Sequence, residues 1–383
     1  MSNKTEKLYY ENAYIGDFYA RVISTSAVEG GYDVILDKTA FFPEEGGQSA
    51  DVGYIAESRV LDVYEKDGIV HHITDIEPTL GEHWCSIDFD IRFEKMQCHT
   101  AEHILCGIIH SLFGFDNVGF HLGDDEVTFD VDGVLDRSQL DRIEEMANEV
   151  VFSNIQVEAF FPPINKLPYI KYRSKLDITE GVRLIRIGEV DTCACCAPHV
   201  ANTGEIGMIK ILDFMKHRGG TRIWMVAGKR ALHDYRRRYE NIKKISGMLS
   251  TPQFEVASTL ETYIAESESV KAGLKVARLK IAELEADCVE ITEKSEVFLL
   301  PDFSIPELIA FSNIANKKVG GITVALSGCD GDYKYVISSA STDLRAMTKE
   351  INSALSGRGG GRPEMIQGSF AATLGEIKAY FEK

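Results

Sequence analysis

No stretch of this 383-residue sequence approaches the roughly 18 consecutive apolar residues that a membrane-spanning helix needs. Residues 1–12 are polar, carrying Lys4, Glu6, Lys7 and Glu11 and no apolar run of the signal-peptide kind, so the expectation is a cytoplasmic chain without a membrane partner. Net positive charge is also missing. Forty-one Lys and Arg stand against 59 Asp and Glu, a formal charge of −18, which excludes a surface that attracts polyanions everywhere and confines any nucleic-acid contact to a local patch. Cysteine is sparse, eight in all, and under reducing conditions these are poor disulfide material; where they cluster, thiolate–metal chemistry is the better reading. What remains is ordinary for a folded chain: 44% hydrophobic, 26% charged, and long enough for two or three domains of roughly 100 to 200 residues.

Short apolar runs divided by turn residues fill the first part: Ala20 to Ile23, Tyr32 to Leu36, Val60 to Tyr64, Gly68 to Ile73. They predict a small antiparallel β-barrel over residues 1–90. Thr39 to Gln48 interrupts it as an ordered loop, since Pro43, Gly46 and Gly47 rule out a helix interior and a central strand. Met96, Ile104, Leu105, Ile108, Ile109 and Leu112 recur at helical intervals between Phe93 and Phe113 with no Pro among them. A second helix is expected from Ser138, as N-cap, to Ser153. Strand-like runs follow at Ile155 to Phe161, Val182 to Ile187, Met208 to Leu212 and Thr221 to Val226, giving an α+β domain over residues 91–240. Residues 241–296 read as a helical connector divided near Pro252. Val270, Leu274, Ala277, Ile281, Leu284, Cys288 and Ile291 step by four and three along it, an a/d seam. That seam suits either a helix packed on its own domain or a coiled coil joining a homodimer. Residues 297–383 form a C-terminal α/β module with a Gly-rich loop at Gly357 to Gly361 and a last helix from about Phe370.

His99 and His103 lie one turn apart on one face of the first long helix, the way a helix offers two ligands to one metal. Residue 100 is Thr, so the His-Glu pair of metalloprotease helices is absent, and alone such histidines are more often a polar or packed face. The segment Cys193-Ala-Cys195-Cys196-Ala-Pro-His199 supplies three thiols and an imidazole in seven residues. Small buried cysteines are its plain alternative. Three imidazoles with one thiolate, from His99, His103, Cys195 and His199, make a tetrahedral set suited to zinc.

These residues carry a resemblance. Phe42-Pro-Glu-Glu-Gly-Gly-Gln48, His99-Thr-Ala-Glu-His103, Cys195-Cys-Ala-Pro-His199 followed by Asn202-Thr-Gly-Glu-Ile-Gly207, Arg222 to Arg230, and Arg358-Gly-Gly-Gly-Arg-Pro-Glu-Met-Ile-Gln-Gly368 stand in the order of the alanyl-tRNA editing proteins. The chain resembles the long, free-standing form of that family, related to the editing domain of alanyl-tRNA synthetase, across almost its whole length. The resemblance implies hydrolysis of the ester joining serine or glycine to the 3′ end of alanine tRNA. It assigns His99, His103, Cys195 and His199 as the zinc ligands, Cys195 rather than Cys193 or Cys196, and Gln48 as a polar group lining the pocket. The sequence departs from the family where Cys196, Ala197 and Pro198 replace a frequent Gly-Gly-Thr. Glu102, three residues after His99 and so near the metal face, stands where the synthetase has a Thr, and could act as a base toward a water near zinc.

For tRNA, seven basic and two acidic side chains lie between Lys229 and Lys244, with Arg236 and Arg237 between Tyr235 and Tyr239, whose rings could stack on bases. Arg358 and Arg362 offer guanidiniums beside glycine N–H groups. A solvated helix face and an ordinary turn are the plain alternatives. Two other functions fit less well: a non-catalytic RNA-binding protein with structural zinc, and editing of another tRNA such as Ser-charged threonine tRNA. A phosphoesterase of the Asp-His-His kind is disfavoured because that motif is absent.

Overall fold

The computed structural model describes residues 4–123, 127–174 and 181–382. The fold is mixed α and β, and the chain divides into two compact units, Met1–Asn241 and Ile242–Lys383. No helix among the described residues is long and apolar enough to cross a membrane.

In the first unit six antiparallel strands close into a barrel. They are Asp17–Val28, Gly31–Leu36, Ile69–Thr74, Ser58–Lys66, Gly53–Ile55 and Gly81–Ile87, the last pairing back on the first. Alternation drives it: along Asp17 to Val22 every second side chain is buried, so one face fills the barrel with Val22, Val34, Leu36, Phe41, Val60 and Val63. After the barrel comes helix Phe89–Phe113, buried almost all round from Arg92 to Ile109. Over it lie a four-stranded antiparallel sheet (Ile209–His217, Gly220–Ala227, Val127–Val131, Asn117–Leu122) and a three-stranded one (Val157–Phe160, Leu184–Ile187, Asp191–Ala194). A second core of Ile104, Ile108, Ile143, Ile185, Ile211 and Ile223 ties helices and sheets together.

Helix Arg137–Phe152 begins one residue before the expected cap. Asp136, not Ser138, is its N-cap, in a reciprocal pair of hydrogen bonds with Gln139. The carboxylate accepts from the Gln139 N–H and from the Ser138 hydroxyl, so the serine supports the cap.

The second unit carries helix Val256–Asp287 and a five-stranded sheet in the order Glu296–Leu299, Thr323–Cys329, Asp332–Ser338, Met365–Phe370, Gly357–Arg362. Two expectations change here. Gly357 to Gly361 is no loop but an edge strand of a hairpin, paired antiparallel with Met365–Phe370. Glycine holds that strand because the space is already filled: a Cβ on Gly359 would fall onto the Tyr335 hydroxyl, and one on Gly357 would stand 2.7 Å from the Phe370 ring. Phe370 accordingly ends a strand, and the last helix is Leu374–Phe381. The heptad seam also parts from the helix. Asp287 ends it, leaving Cys288 and Ile291 beyond, and the face packed on helix Ile305–Ala315 is the one carrying Ala282 and Ala286.

Candidate metal centre

Loop Thr39 to Gln48 and the residues just after it are fastened to helix Phe89–Phe113 by two buried cations. Arg92 makes an ion pair with Asp51 and donates to the carbonyls of Ala13 and Ala40, and Lys95 Nζ donates to those of Ser49 and Ala50. Gly47, at φ +86°, lets the chain run against strand Asn117–Leu122, where a Cβ would strike the Phe120 carbonyl oxygen. Gln48 is thereby carried into the interior, fully buried, with Oε1 2.8 Å from His99 Nδ1.

The cysteine loop has its own brace. Arg183, mostly buried, donates through Nη1 to the carbonyls of Cys195 (3.0 Å) and Ala197 (2.8 Å). This bends the segment so that Cys195 Sγ lies 3.6 Å from His99 Nε2 and 3.3 Å from His199 Nε2. One ligand atom from each of His99, His103, Cys195 and His199 falls within 4.8 Å of the others. Donors about 2.0 to 2.3 Å from a tetrahedral zinc stand about 3.5 Å apart, so the observed spacings fit one ion.

The far side of each imidazole supports the same fit. His199 Nδ1 lies 3.0 Å from Thr100 Oγ1, and that hydroxyl spends its proton on the Met96 carbonyl, 2.8 Å away, so it accepts from His199. His99 Nδ1 donates to Gln48, and His103 Nδ1, which has no aligned hydrogen bond, faces Asp191 Oδ2 at 3.3 Å. With the Nδ1 protons on the outside, the Nε2 lone pairs converge inward. Burial pushes His199 down to about 3, keeping it neutral. Burial works against a charged Cys195, but the His99 and His199 imidazoles outweigh it and hold the thiol well below its ordinary range. His103 runs the other way: burial would lower it, yet Cys193, Asp191 and Cys195 raise it well above the usual histidine value. A thiolate at Cys195 and an extra proton on His103 sustain one another, and a bound cation would take the place of that proton.

Glu102 is buried, not solvent-facing. Its Oε1 accepts from Asn117 Nδ2 and from the Cys106 thiol (3.1 Å), while Oε2 is 3.9 Å from His103 Nε2, beside the ligand cluster. Cys193 sits beside His103 and Asp191 but outside the four-ligand set, and burial lifts its thiol to about 11.

The part of the chain that holds this loop, residues 182–229, matches the family described as the threonyl and alanyl tRNA synthetase second additional domain. Residues 2–86 match tRNA synthetases class II (A). The alanyl-tRNA editing protein AlaX-L of Pyrococcus horikoshii is 27% identical, over 97% of this chain and 96% of its own. The chain is thus similar to an alanyl-tRNA editing protein over nearly the full length of both. The alanine–tRNA ligase of Halorubrum lacusprofundi is 31% identical over 95% of this chain, which spans only 42% of that ligase. A solved structure, the C-Ala domain from Aquifex aeolicus alanyl-tRNA synthetase, covers 23% of the chain at 19% identity and a TM-score of 0.20, too slight a likeness to bear on the fold.

Three of the motifs, those of Gln48, of His99 with His103, and of Cys195 with His199, thus meet in one buried cluster, supported by Asp191, Asn117 and Arg183 from outside them. The tRNA-directed arginines are elsewhere. Arg236 and Arg237 are exposed on helix Gly228–Leu249, where Arg237 reaches Asp234 (3.1 Å) and Tyr235 stacks with Tyr239, ring centres 6.2 Å apart. Arg358 and Arg362 are exposed on the edge strand of the second unit.

Proposed function

We propose that this protein is an aminoacyl-tRNA hydrolase of the cytoplasm that removes serine or glycine from mischarged alanine tRNA at a zinc site formed by His99, His103, Cys195 and His199. The observation that carries it is the meeting of these four donors within 4.8 Å, in a chain similar to an editing protein over nearly its full length. When bound, zinc supplies a Lewis acid for the ester carbonyl and lowers the pKa of a water. Glu102 Oε2 takes a proton from the attacking water. Gln48 Nε2, buried and without a hydrogen-bond partner, donates to the carbonyl oxygen as negative charge develops there. The water oxygen bonds to the carbonyl carbon, the ester C–O bond breaks, and the proton passes to the ribose oxygen, releasing the free amino acid and intact tRNA. Serine is distinguished from alanine by buried polar groups that its hydroxyl satisfies, and glycine enters by size. Arg236 and Arg237 contact tRNA phosphates with Tyr235 and Tyr239 as a stacking face, and Arg358 and Arg362 add a second basic contact.

A second reading rests on the same donors. Four protein ligands complete a tetrahedral ion, as in structural zinc sites, and the protein would then bind RNA without catalysis. Deacylation of Ser-, Gly- and Ala-charged alanine tRNA, beside Ser-charged threonine tRNA, separates these. Release of serine or glycine with alanine spared, and its loss in Cys195→Ala, supports editing of alanine tRNA. Hydrolysis of Ser-charged threonine tRNA alone transfers the activity to that substrate, and no hydrolysis by zinc-replete protein leaves the structural reading.

A further inference from the structure

His103 differs from the other two imidazoles in what stands behind it. His99 has an amide and His199 a hydroxyl, but His103 has a carboxylate, Asp191 Oδ2 at 3.3 Å. Asp191 is buried, and its two oxygens accept from Arg173 Nε and Nη2, both at 2.8 Å. Arg173 is held in turn by strand Asp191–Ala194, its N–H donating to the Thr192 carbonyl (2.8 Å) and its carbonyl accepting from Ala194 (2.9 Å). An independent feature lets this assembly reach the helix. Gly107, one turn beyond His103, has no side chain where a Cβ would stand 2.6 Å from the Val190 carbonyl oxygen and 2.8 Å from Asp191 Cβ. Any other residue there would push the strand, and the carboxylate with it, away from the imidazole.

We infer that Asp191 is a positioning residue for the metal centre, fixing the ring of His103 with its Nε2 toward the ion, and that Gly107 and Arg173 exist at these places to deliver it. This rests on the metal reading above. A carboxylate behind a ligand histidine fixes the proton on Nδ1, stops the ring rotating and makes Nε2 a stronger donor. Arg173 holds the carboxylate by both oxygens, so it cannot swing inward and become a ligand itself.

The test measures metal, not hydrolysis. Zinc affinity of the full chain is determined by competition with a chromophoric chelator, and Co2+ loading by its visible absorption, for the parent and for Asp191→Asn, Asp191→Ala and Gly107→Ala, each shown folded by circular dichroism. Weakening of zinc binding by about 10- to 100-fold is expected, with Asp191→Ala at the upper end, Asp191→Asn (which keeps an acceptor oxygen) at the lower, and a changed cobalt spectrum in both. Gly107→Ala moves in the same direction while leaving every ligand in place. If Asp191→Ala does not fold, the two milder variants decide. Folded variants that bind zinc within about twofold of the parent, with an unchanged cobalt spectrum, overturn the assignment and leave the Arg173–Asp191 pair a strand clamp. A parent that binds no zinc overturns the metal reading itself, and this one with it.

Discussion

Helix Phe89–Phe113 buries Arg92, Lys95, Gln97, His99, Thr100, Glu102 and His103, whereas helix Val256–Asp287 leaves Val270, Leu274, Ile281 and Leu284 between 50% and 69% exposed. Each inverts the usual rule, in opposite directions. Burying charge and amide is tolerable only where partners replace the lost water, and the first helix finds them nearly one for one: Asp51 for Arg92, carbonyls for Lys95, Gln48 for His99, Asp191 beside His103, Asn117 for Glu102. Such a helix is committed to one arrangement of its neighbours, which suits a catalytic centre. The second helix spends only Val256, Ala282 and Ala286 on burial, so an apolar seam remains available to something else.

The sharpest way to break the comparison is to remove one buried partner. Arg92→Met leaves Asp51 charged and unpaired in the interior and should cost about 3 to 5 kcal/mol in urea unfolding. A loss below about 1 kcal/mol would mean that pairing on this helix is incidental. Glu102→Gln keeps an oxygen for Asn117 but removes the base, and deacylation should fall by about 10²- to 10³-fold with zinc binding unchanged. An unaltered rate would make Glu102 part of the packing.

Buried pairing extends beyond that helix to His72 in the barrel, fully buried against Phe41 with Thr39 Oγ1 at 2.8 Å and the Val34 carbonyl at 3.1 Å. Burial lowers its pKa from the usual 6.5 to about 4. The unfolded chain therefore takes up a proton as pH falls through 6.5 while the folded chain does not until about 4, so stability is present above the first value and lost on the way to the second. Full expression of that shift is about 3 kcal/mol. Urea midpoints between pH 7 and 4.5 should fall more steeply in the parent than in His72→Gln, and equal slopes would contradict the assignment.

These differences also explain what could be read from the sequence. The candidate ligand cluster was legible because each pair is local: His99 and His103 are one helical turn apart, and Cys195 and His199 share one short loop. Gln48 and Glu102 were found through the motifs, but their partners were not. Asp191, Asn117 and Arg183 reach the centre through strand pairing and loop packing, and no spacing along the chain announces which strand will lie against which helix. The glycines from Gly357 to Gly361 misled for the same reason: glycine ordinarily disfavours a strand, and only Tyr335 and Phe370, distant in sequence, make it the residue that fits. Strand-like runs near Val182 and Thr221 were visible because short segments rich in β-branched and apolar residues mark strands buried on both faces.

The exposed seam gives the smallest effect on a single chain and the plainest test of what it is for. Leu274→Glu with Ile281→Glu replaces side chains already facing solvent, so each should change the chain's unfolding free energy by no more than about 0.5 kcal/mol. If the seam instead joins two copies, Lys271 near one end and Glu285 near the other would face each other in an antiparallel pair, and burying four apolar side chains per copy would favour it. We expect light scattering at micromolar concentration to give twice the chain mass for the parent and the single-chain mass for the double variant. A monomeric parent would assign the seam to no self-association.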